Sequence, residues 1–494
     1  MTTIPAVLRA AAAQTPDREA LVTPGVRLTF AELLDRVRQF SAAMIARGIE
    51  HGDRVAIWAP NTADWAIAGL GLTGIGAILV PVNTRFKGEE ARYLLDRTSV
   101  KALVVDDRFL TDLLGADPLQ ALGSPDIDVI RLSEPLPAAD VDVEARASAV
   151  ADDDPSDIIF TSGTTGRPKG AVITHGQSTR MYQSWADTVG LLEGDRMLVV
   201  APFFHTFGYK AGLLACLLKR ATAVPLKVFD VDQALATIAG ERINVVPGPP
   251  TLYSSLLEHP SRPGADLSSL RLAVTGAAVV PTELIARMRS LLGFKEVITA
   301  YGLTECGGFA TACRPGDPDE TISLTSGRAA DGVEVRIDAE AGQPGEVLVH
   351  GYGVMRGYWD DPAATAEAID ADGWLHTGDI GVMDAQGNLR ITDRLKDMYL
   401  VGGFNAYPAE IEQVLTRHEA VSEAAVIGVP DERMGEVGRA FVVPRLGSVI
   451  DADELIAWCK ERLANYKVPR SVVVVEALPK NATGKVTKDE LRSR

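Results

Sequence analysis

Cysteine is scarce. There are four in 494 residues, Cys216, Cys306, Cys313 and Cys459, and none stands in paired spacing. That excludes a disulfide framework and reads as reduced, mostly buried thiols of a cytoplasmic protein. Neither CxxC nor HExxH occurs, so no transition-metal site is signalled. Positive charge is also short, 49 Lys and Arg against 66 Asp and Glu, for a net charge of −17. A surface of that sign does not coat nucleic acid, and any polyphosphate ligand must be held by local donors against the overall field. Only one uncharged run reaches membrane length, WAIAGLGLTGIGAILVPV at 65–82. Its four glycines and its β-branched, proline-containing end predict a buried helix running into a strand, not a membrane span. The N-terminal MTTIPAVLRAAAAQTPD places Arg9 inside its only apolar stretch, which argues against a secretory signal.

What is present is a long alternation of helical and strand patterns. Residues 30–48 have helical spacing, 53–60 read as a strand, 77–83 as another, and 89–98 as a helix leading into the strand 101–107. Further strands are expected at 196–202, 243–248, 270–277 and 295–302. This is an α/β fold with parallel-rich sheets covered by helices. After residue 325 short alternating strands at 333–337, 345–351 and 388–394 predict a small β subdomain, and beyond residue 396 the pattern is compact α+β. The expected division is a large N-terminal domain at 1–394, a charged hinge at 395–396, and a small C-terminal domain at 397–494.

Residues 161–170, TSGTTGRPKG, have the composition of a phosphate loop. Glycines allow backbone N–H groups to converge on an anion, the hydroxyls add donors, and Lys169 adds a mobile cation. The Walker A pattern does not fit, because Pro168 stands where its second glycine belongs and Gly170 follows the lysine. The next residues, AVITH at 171–175, read as a strand, where a P-loop opens into a helix. A polar loop without a ligand is the plain alternative.

Four other segments carry candidate chemistry. TAYGLTECGG at 299–308 ends a strand in an aromatic, a glycine turn and Thr304-Glu305. Tyr301 offers a face for a purine and Glu305 a carboxylate for Mg²⁺, though a capped strand-to-helix turn explains the segment as well. WLHTGDIG at 374–381 puts Asp379 behind a glycine turn, where it suits ribose hydroxyls or is an ordinary turn aspartate. His205, in PFFHTFGYKAG at 202–212, reads by its apolar surroundings as a core histidine. Lys485, in LPKNATGKV at 478–486, taken alone is a surface lysine.

In this order and at these separations the segments resemble the adenylate-forming superfamily of acyl-CoA synthetases, peptide-synthetase adenylation domains and beetle luciferase, across essentially the whole chain. The resemblance implies that Thr161, Ser162, Gly163, Thr164, Thr165 and Lys169 hold the ATP phosphates. It places Gly276, Ala277, Ala278 and Tyr301 beside the adenine, Thr304 by the α-phosphate, Mg²⁺ on Glu305, and the ribose on Asp379 and Arg394. Lys396 falls on the hinge. By the same comparison His205 matches the aromatic gate beside the acyl carboxylate, which reverses its plain reading, and Lys485 becomes the catalytic lysine of a mobile C-terminal domain.

The chemistry implied is conversion of a carboxylate into a mixed anhydride with AMP, then into a coenzyme A thioester, with AMP and pyrophosphate released. Coenzyme A is the expected acceptor because the chain ends nine residues after Lys485, short of a fused carrier domain. Gly402, Gly403 and Phe404 are expected along the pantetheine path, with Phe404 where relatives carry Glu. Transfer to an amine, a separate carrier protein or another small nucleophile is the alternative. Candidate acyl-pocket walls are Phe204, Gly208, Tyr209, Gly212, Pro249, Pro250 and Gly307, a lining suited to a hydrophobic or ring-bearing monocarboxylate. Lys210 is the odd charge among them, expected to snorkel, with a ketone or second carboxylate of the substrate as the other reading. Several segments resemble an actinobacterial ligase subgroup that includes the enzyme activating an indane-propanoate left from steroid-ring breakdown. Oligomeric state is not legible in the sequence, and a homodimer is compatible with it.

Overall fold

Strands that read as unbroken apolar runs sit where both faces of a sheet are covered. Arg54–Trp58, Ile78–Pro81 and Ala102–Val105 are buried along almost their whole length and lie side by side in parallel. They belong to a seven-stranded sheet in the computed structural model, which describes residues 2–115, 117–123, 126–161, 168–276, 280–394, 397–401, 404–431, 434–463, 465–481 and 485–493, the side chains of 393, 394, 404 and 405 excepted. The sheet order is Gly357–Tyr358, Lys169–Thr174, Pro155–Thr161, Ile78–Pro81, Arg54–Trp58, Ala102–Val105, Asp128–Arg131, antiparallel only at the first two pairings.

The membrane-length run resolves as expected into the helix Ala63–Gly74 and the strand Ile78–Pro81. Thr62 caps the helix by accepting from the Trp65 N–H, and a Cβ on Gly71 would lie 2.7 Å from the Phe40 ring. Glycine there lets the helix Phe30–Ala46 pack close. Among the described residues no helix is long and apolar enough to cross a membrane.

A nine-stranded sheet forms the second layer. At its centre Glu296–Tyr301, Leu272–Gly276, Val245–Pro247, Arg196–Val199, Thr222–Pro225 and Glu19–Thr23 run parallel in that order. Parallel strands bring their C-terminal ends to one edge, so Val199, Pro247, Gly276 and Tyr301 open their loops on the same side. One large core joins this sheet to the surrounding helices and to a four-stranded antiparallel sheet of Val333–Asp338, Gly345–Gly351, Leu375–Met383 and Leu389–Arg394, the expected β subdomain.

The residues after 396 build a five-stranded sheet of their own, with Ser471–Val474 the strand that joins in parallel. Its two faces carry separate cores, one around Tyr399, Ile411, Leu455 and Cys459, the other around Phe441, Leu478 and Leu491. All four cysteines are buried and free.

Several boundaries fall about one to three residues from expectation, and the one after the phosphate loop has a local cause. The strand after the phosphate loop is Lys169–Thr174, and His175 starts the helix His175–Val189. Thr174 Oγ1 accepts from the Gln177 N–H while the Gln177 side chain accepts from the Thr174 N–H, and this reciprocal cap ends the strand one residue early.

Candidate active site

One carboxylate bridges the two large sheets. Glu305 lies on the single 3-10 turn Thr304–Cys306, just past the C-terminal end of Glu296–Tyr301. Thr161, the last residue of Pro155–Thr161, donates its hydroxyl to Glu305 Oε1 at 2.8 Å, and Tyr358 donates to the same oxygen at 3.0 Å. Hydrogen bonds to an ionised acceptor are about twice as strong as neutral ones, so the carboxylate is held in one orientation by groups 144 and 53 residues away. Burial and the neighbouring carboxylate push the Tyr358 phenol far up, which keeps it a donor. The Lys169 ammonium lies 5.2 Å from the Tyr358 ring centroid. Lys169 and Tyr358 line a cleft of about 360 Å³ together with Arg97 and Trp359.

A second carboxylate is held in the same way. Tyr301 donates its hydroxyl to Asp379 Oδ2 at 2.7 Å, and Asp379 is buried. Asp379 is the cross-strand partner of Arg394 in the four-stranded sheet, so the two expected ribose residues are neighbours in the backbone register. Gly276 ends the strand next to Tyr301's, and a Cβ there would lie 2.3 Å from the Ala300 carbonyl oxygen. No other residue fits that approach.

A third group surrounds Thr304. Thr206 donates to Thr304 Oγ1 at 3.3 Å, and the Phe207 N–H donates to His205 Nδ1 at 3.2 Å. That bond leaves the proton of the neutral ring on Nε2. Burial pushes His205 down to about 4, so the ring is uncharged at neutral pH. His205 leads into a π-helix, Phe207–Leu214, whose backbone packs on the sheet through glycines. A Cβ on Gly208 would lie 2.0 Å from the Pro202 carbonyl oxygen, and one on Gly212 would lie 2.4 Å from Val199. Tyr209 is fully buried, its ring edge-on to Trp65 at 5.5 Å. Phe204 and Pro249 are partly exposed, and Pro250 is buried at the start of the helix Pro250–Glu258. Gly307 adopts φ +72° beside the Gly353 carbonyl.

Lys210 does not snorkel. It is fully buried, and its Nζ lies 2.9 Å from Oδ1 of Asp157, also fully buried. Asp157 Oδ2 accepts from Ser156 at 2.6 Å. The side chain turns inward because a carboxylate on the adjacent strand offers a partner that bulk water would otherwise supply.

Ser162, Gly163, Thr164, Thr165, Ala277, Ala278, Lys396, Gly402 and Gly403 lie outside the described residues, as do the side chains of Arg394 and Phe404. Lys485 is pinned to Asn481 in the C-terminal unit: its N–H donates to Asn481 Oδ1 at 2.9 Å and its carbonyl accepts from the Asn481 N–H at 2.8 Å. Tyr358 and Asp157, which hold site residues or their neighbours, carry no local sequence signal. Their partners are set by how the strands that carry them lie against the Thr304–Cys306 turn and the Phe207–Leu214 helix.

Among known proteins, the family model for AMP-binding enzymes matches residues 8–359, and the model for the AMP-binding enzyme C-terminal domain matches 410–485. The chain belongs to the AMP-binding enzyme family. It is 51% identical to a 3-[(3aS,4S,7aS)-7a-methyl-1,5-dioxo-octahydro-1H-inden-4-yl]propanoyl:CoA ligase of Rhodococcus jostii, over 99% of this chain and 98% of that one. It is 52% identical to the ligase of the same name from Mycobacterium tuberculosis, with the same coverage. Among solved structures, the anthranilate CoA ligase AuaEII in complex with anthranoyl-AMP superposes with a TM-score of 0.89 at 27% identity, covering 99% of this chain and 96% of that one.

The residues present fit a magnesium ion that arrives with a nucleotide. Among the described residues there is no cluster of three or more His, Cys, Asp or Glu able to cage a metal by itself. Glu305 presents one carboxylate whose Oε1 is already oriented by two donors. Mg²⁺ is commonly held in that manner, by one or two carboxylates with substrate phosphates and water completing the shell.

Proposed function

We propose that the chain is an ATP-dependent, AMP-forming acyl-CoA ligase of the cytoplasm that activates a hydrophobic or ring-bearing carboxylic acid. The observation that carries this reading is the convergence of Thr161, Tyr358 and Glu305 between the two sheets, beside the Tyr301–Asp379 pair. An anionic anchor at the mouth of a phosphate loop and a purine-facing tyrosine bonded to a ribose-directed aspartate are the parts that nucleotide activation of an acid needs.

A carboxylate resists nucleophiles and has no leaving group until it is joined to phosphate. The acid attacks the α-phosphorus of ATP and pyrophosphate departs. Thr161, Lys169 and the intervening loop bind the outer phosphates and then the leaving pyrophosphate. Asp379 and Arg394 hold the ribose, Tyr301 and the 276–278 turn the adenine, and Thr304 lies by the α-phosphate. Glu305 holds Mg²⁺, which when bound supplies charge neutralisation at the phosphates. His205, neutral with its proton on Nε2, orients the acyl carboxylate by donation. Lys485 supplies the cation between acyl and phosphate oxygens. Coenzyme A then attacks the acyl carbon, which requires that lysine to withdraw. We infer that the unit 397–494 turns about 395–396 to remove it, and its independent hydrophobic cores support a rigid-body motion. Gly402, Gly403 and Phe404 line the thiol path in this reading.

Full-length similarity to ligases of the indane-dione propanoate makes such a ring-bearing propanoate the leading acid. The test is acid-dependent pyrophosphate release with thioester among the products. Release of inorganic phosphate and ADP instead, or turnover unchanged when coenzyme A is omitted and an amine supplied, overturns the reading.

A further inference from the structure

Three side-chain links between separate elements close into a ring around the site. Asp157 and Thr161 stand four residues apart on the strand Pro155–Thr161, so by the two-residue alternation of a strand they share one face. Thr161 is bonded to Glu305, and the residue before it, Thr304, is bonded to Thr206. His205 and Thr206 lead into the π-helix Phe207–Leu214, and the Tyr209 N–H donates to the His205 carbonyl at 3.0 Å. About one helical turn further on, Lys210 returns to Asp157 at 2.9 Å. The strand that runs into residues 161–170 and the segment that carries His205 are therefore tied twice, once through the Thr304–Cys306 turn and once directly.

The direct tie has a property the other lacks. Lys210 and Asp157 are both fully enclosed, and among the described residues neither Lys210 Nζ nor Asp157 Oδ1 makes a hydrogen bond elsewhere. A slip of the helix along the strand would leave two uncompensated charges in the core, whereas an apolar pair would slide at little cost. Replacing such a pair by apolar residues of similar volume is often neutral for stability, so what the charges add is register. Lys210 also belongs to a rare turn of a kind found often at functional sites, its carbonyl accepting from the Ala215 N–H five residues on.

We propose that Lys210 is a positioning residue for the first step: paired with Asp157, it locks His205 and Thr206 in register with Thr161, so that acid and α-phosphorus meet in line. This rests on the acyl-CoA ligase reading and adds to it a residue that touches no substrate. The pair acts through the elements it joins. Once pyrophosphate has left, that alignment is no longer needed, and thioester formation does not depend on it.

The test replaces the pair by apolar residues, Lys210→Met with Asp157→Leu, and compares the full-length variant with wild type on ATP and cyclohexanepropanoate. The kcat of acid-dependent pyrophosphate release should fall about 100-fold, with KM for ATP and for acid within about threefold and the denaturation midpoint near that of the wild type. Thioester formation from pre-made acyl-adenylate should keep most of its rate. Asp157→Asn keeps the shape and an accepting oxygen but not the charge, so its kcat should fall about tenfold, and it decides the matter if the apolar pair does not fold. Unchanged kcat in a folded variant overturns the proposal, by leaving the pair a purely structural role. A loss carried by KM, or an equal loss of both half-reactions, overturns it too, since neither is a failure of alignment. No pyrophosphate release by the wild type removes the ligase reading for ring-bearing propanoates, and the proposal falls with it. An active wild type with unchanged variants removes the positioning role alone.

Discussion

Two lysines show how differently the two regions of this molecule use charge. Lys210, in the region of the large sheets, is wholly enclosed and paired with Asp157 at 2.9 Å. Burial pulls its pKa down while the aspartate pulls it back up. Lys485, in the C-terminal unit, is half-buried and its backbone is pinned to Asn481. The first charge is committed to holding a π-helix against the strand that leads to Thr161. The second is the one we assign to the substrate. A fixed scaffold for nucleotide and a cation on a separately cored unit suit a reaction whose first step needs that cation and whose second step needs it gone.

The sharpest way to break this contrast is to remove each lysine. Lys210→Met leaves Asp157 buried without a counter-charge, which should cost about 3–5 kcal/mol of stability, read by chemical denaturation. Replacing both, Lys210→Met with Asp157→Leu, should recover most of that loss. A single variant as stable as the wild type would show that the pair does not hold the helix. Lys485→Ala should leave stability untouched and lower acid-dependent pyrophosphate release by about 10²-fold or more. Thioester formation from pre-made acyl-adenylate should survive in the same variant, and equal loss of both steps would remove Lys485 from the first.

Histidines of the large region give a pH signature. Burial pushes His175 and His205 down to about 4, from about 6.5 in an unfolded chain. As pH falls from about 6.5 the unfolded chain takes protons that the folded protein refuses, so stability drops toward pH 4. The slope is at most about 1.4 kcal/mol per pH unit for each ring, and it ends below about 4. Denaturation midpoints measured from pH 7 to 4.5 should show it, and His175→Gln should flatten the slope by one proton. The smallest expected effect is at Asp379, which we assign to the ribose. Asp379→Asn weakens the acceptor of the Tyr301 bond and should raise KM for ATP about tenfold with little change in kcat.

A great deal of this was written locally. Strand runs such as VAIW and ALVV, the helical period of 30–48 and the alternating texture after 325 are each confined to a few consecutive residues, and the structure follows them. Where a local cap competes with a strand, as at Thr174 and His175, the boundary moves by one residue. Glycines were legible as such, but their reasons were not. Gly208 and Gly212 admit the Pro202 backbone and the Val199 side chain, contacts set by how a helix lies on a sheet.

By itself the sequence determined the fold class, the order of the motifs, the sign of the surface and the family to which the chain belongs. Those depend on residue type and spacing along the chain. Only the tertiary structure decided that Glu305 is shared by Thr161 and Tyr358, that Tyr301 spends its hydroxyl on Asp379, and that Lys210 turns inward. Each is a pairing between side chains on different elements. Such partners are chosen by sheet register and helix packing, which bring together residues that spacing along the chain does not relate.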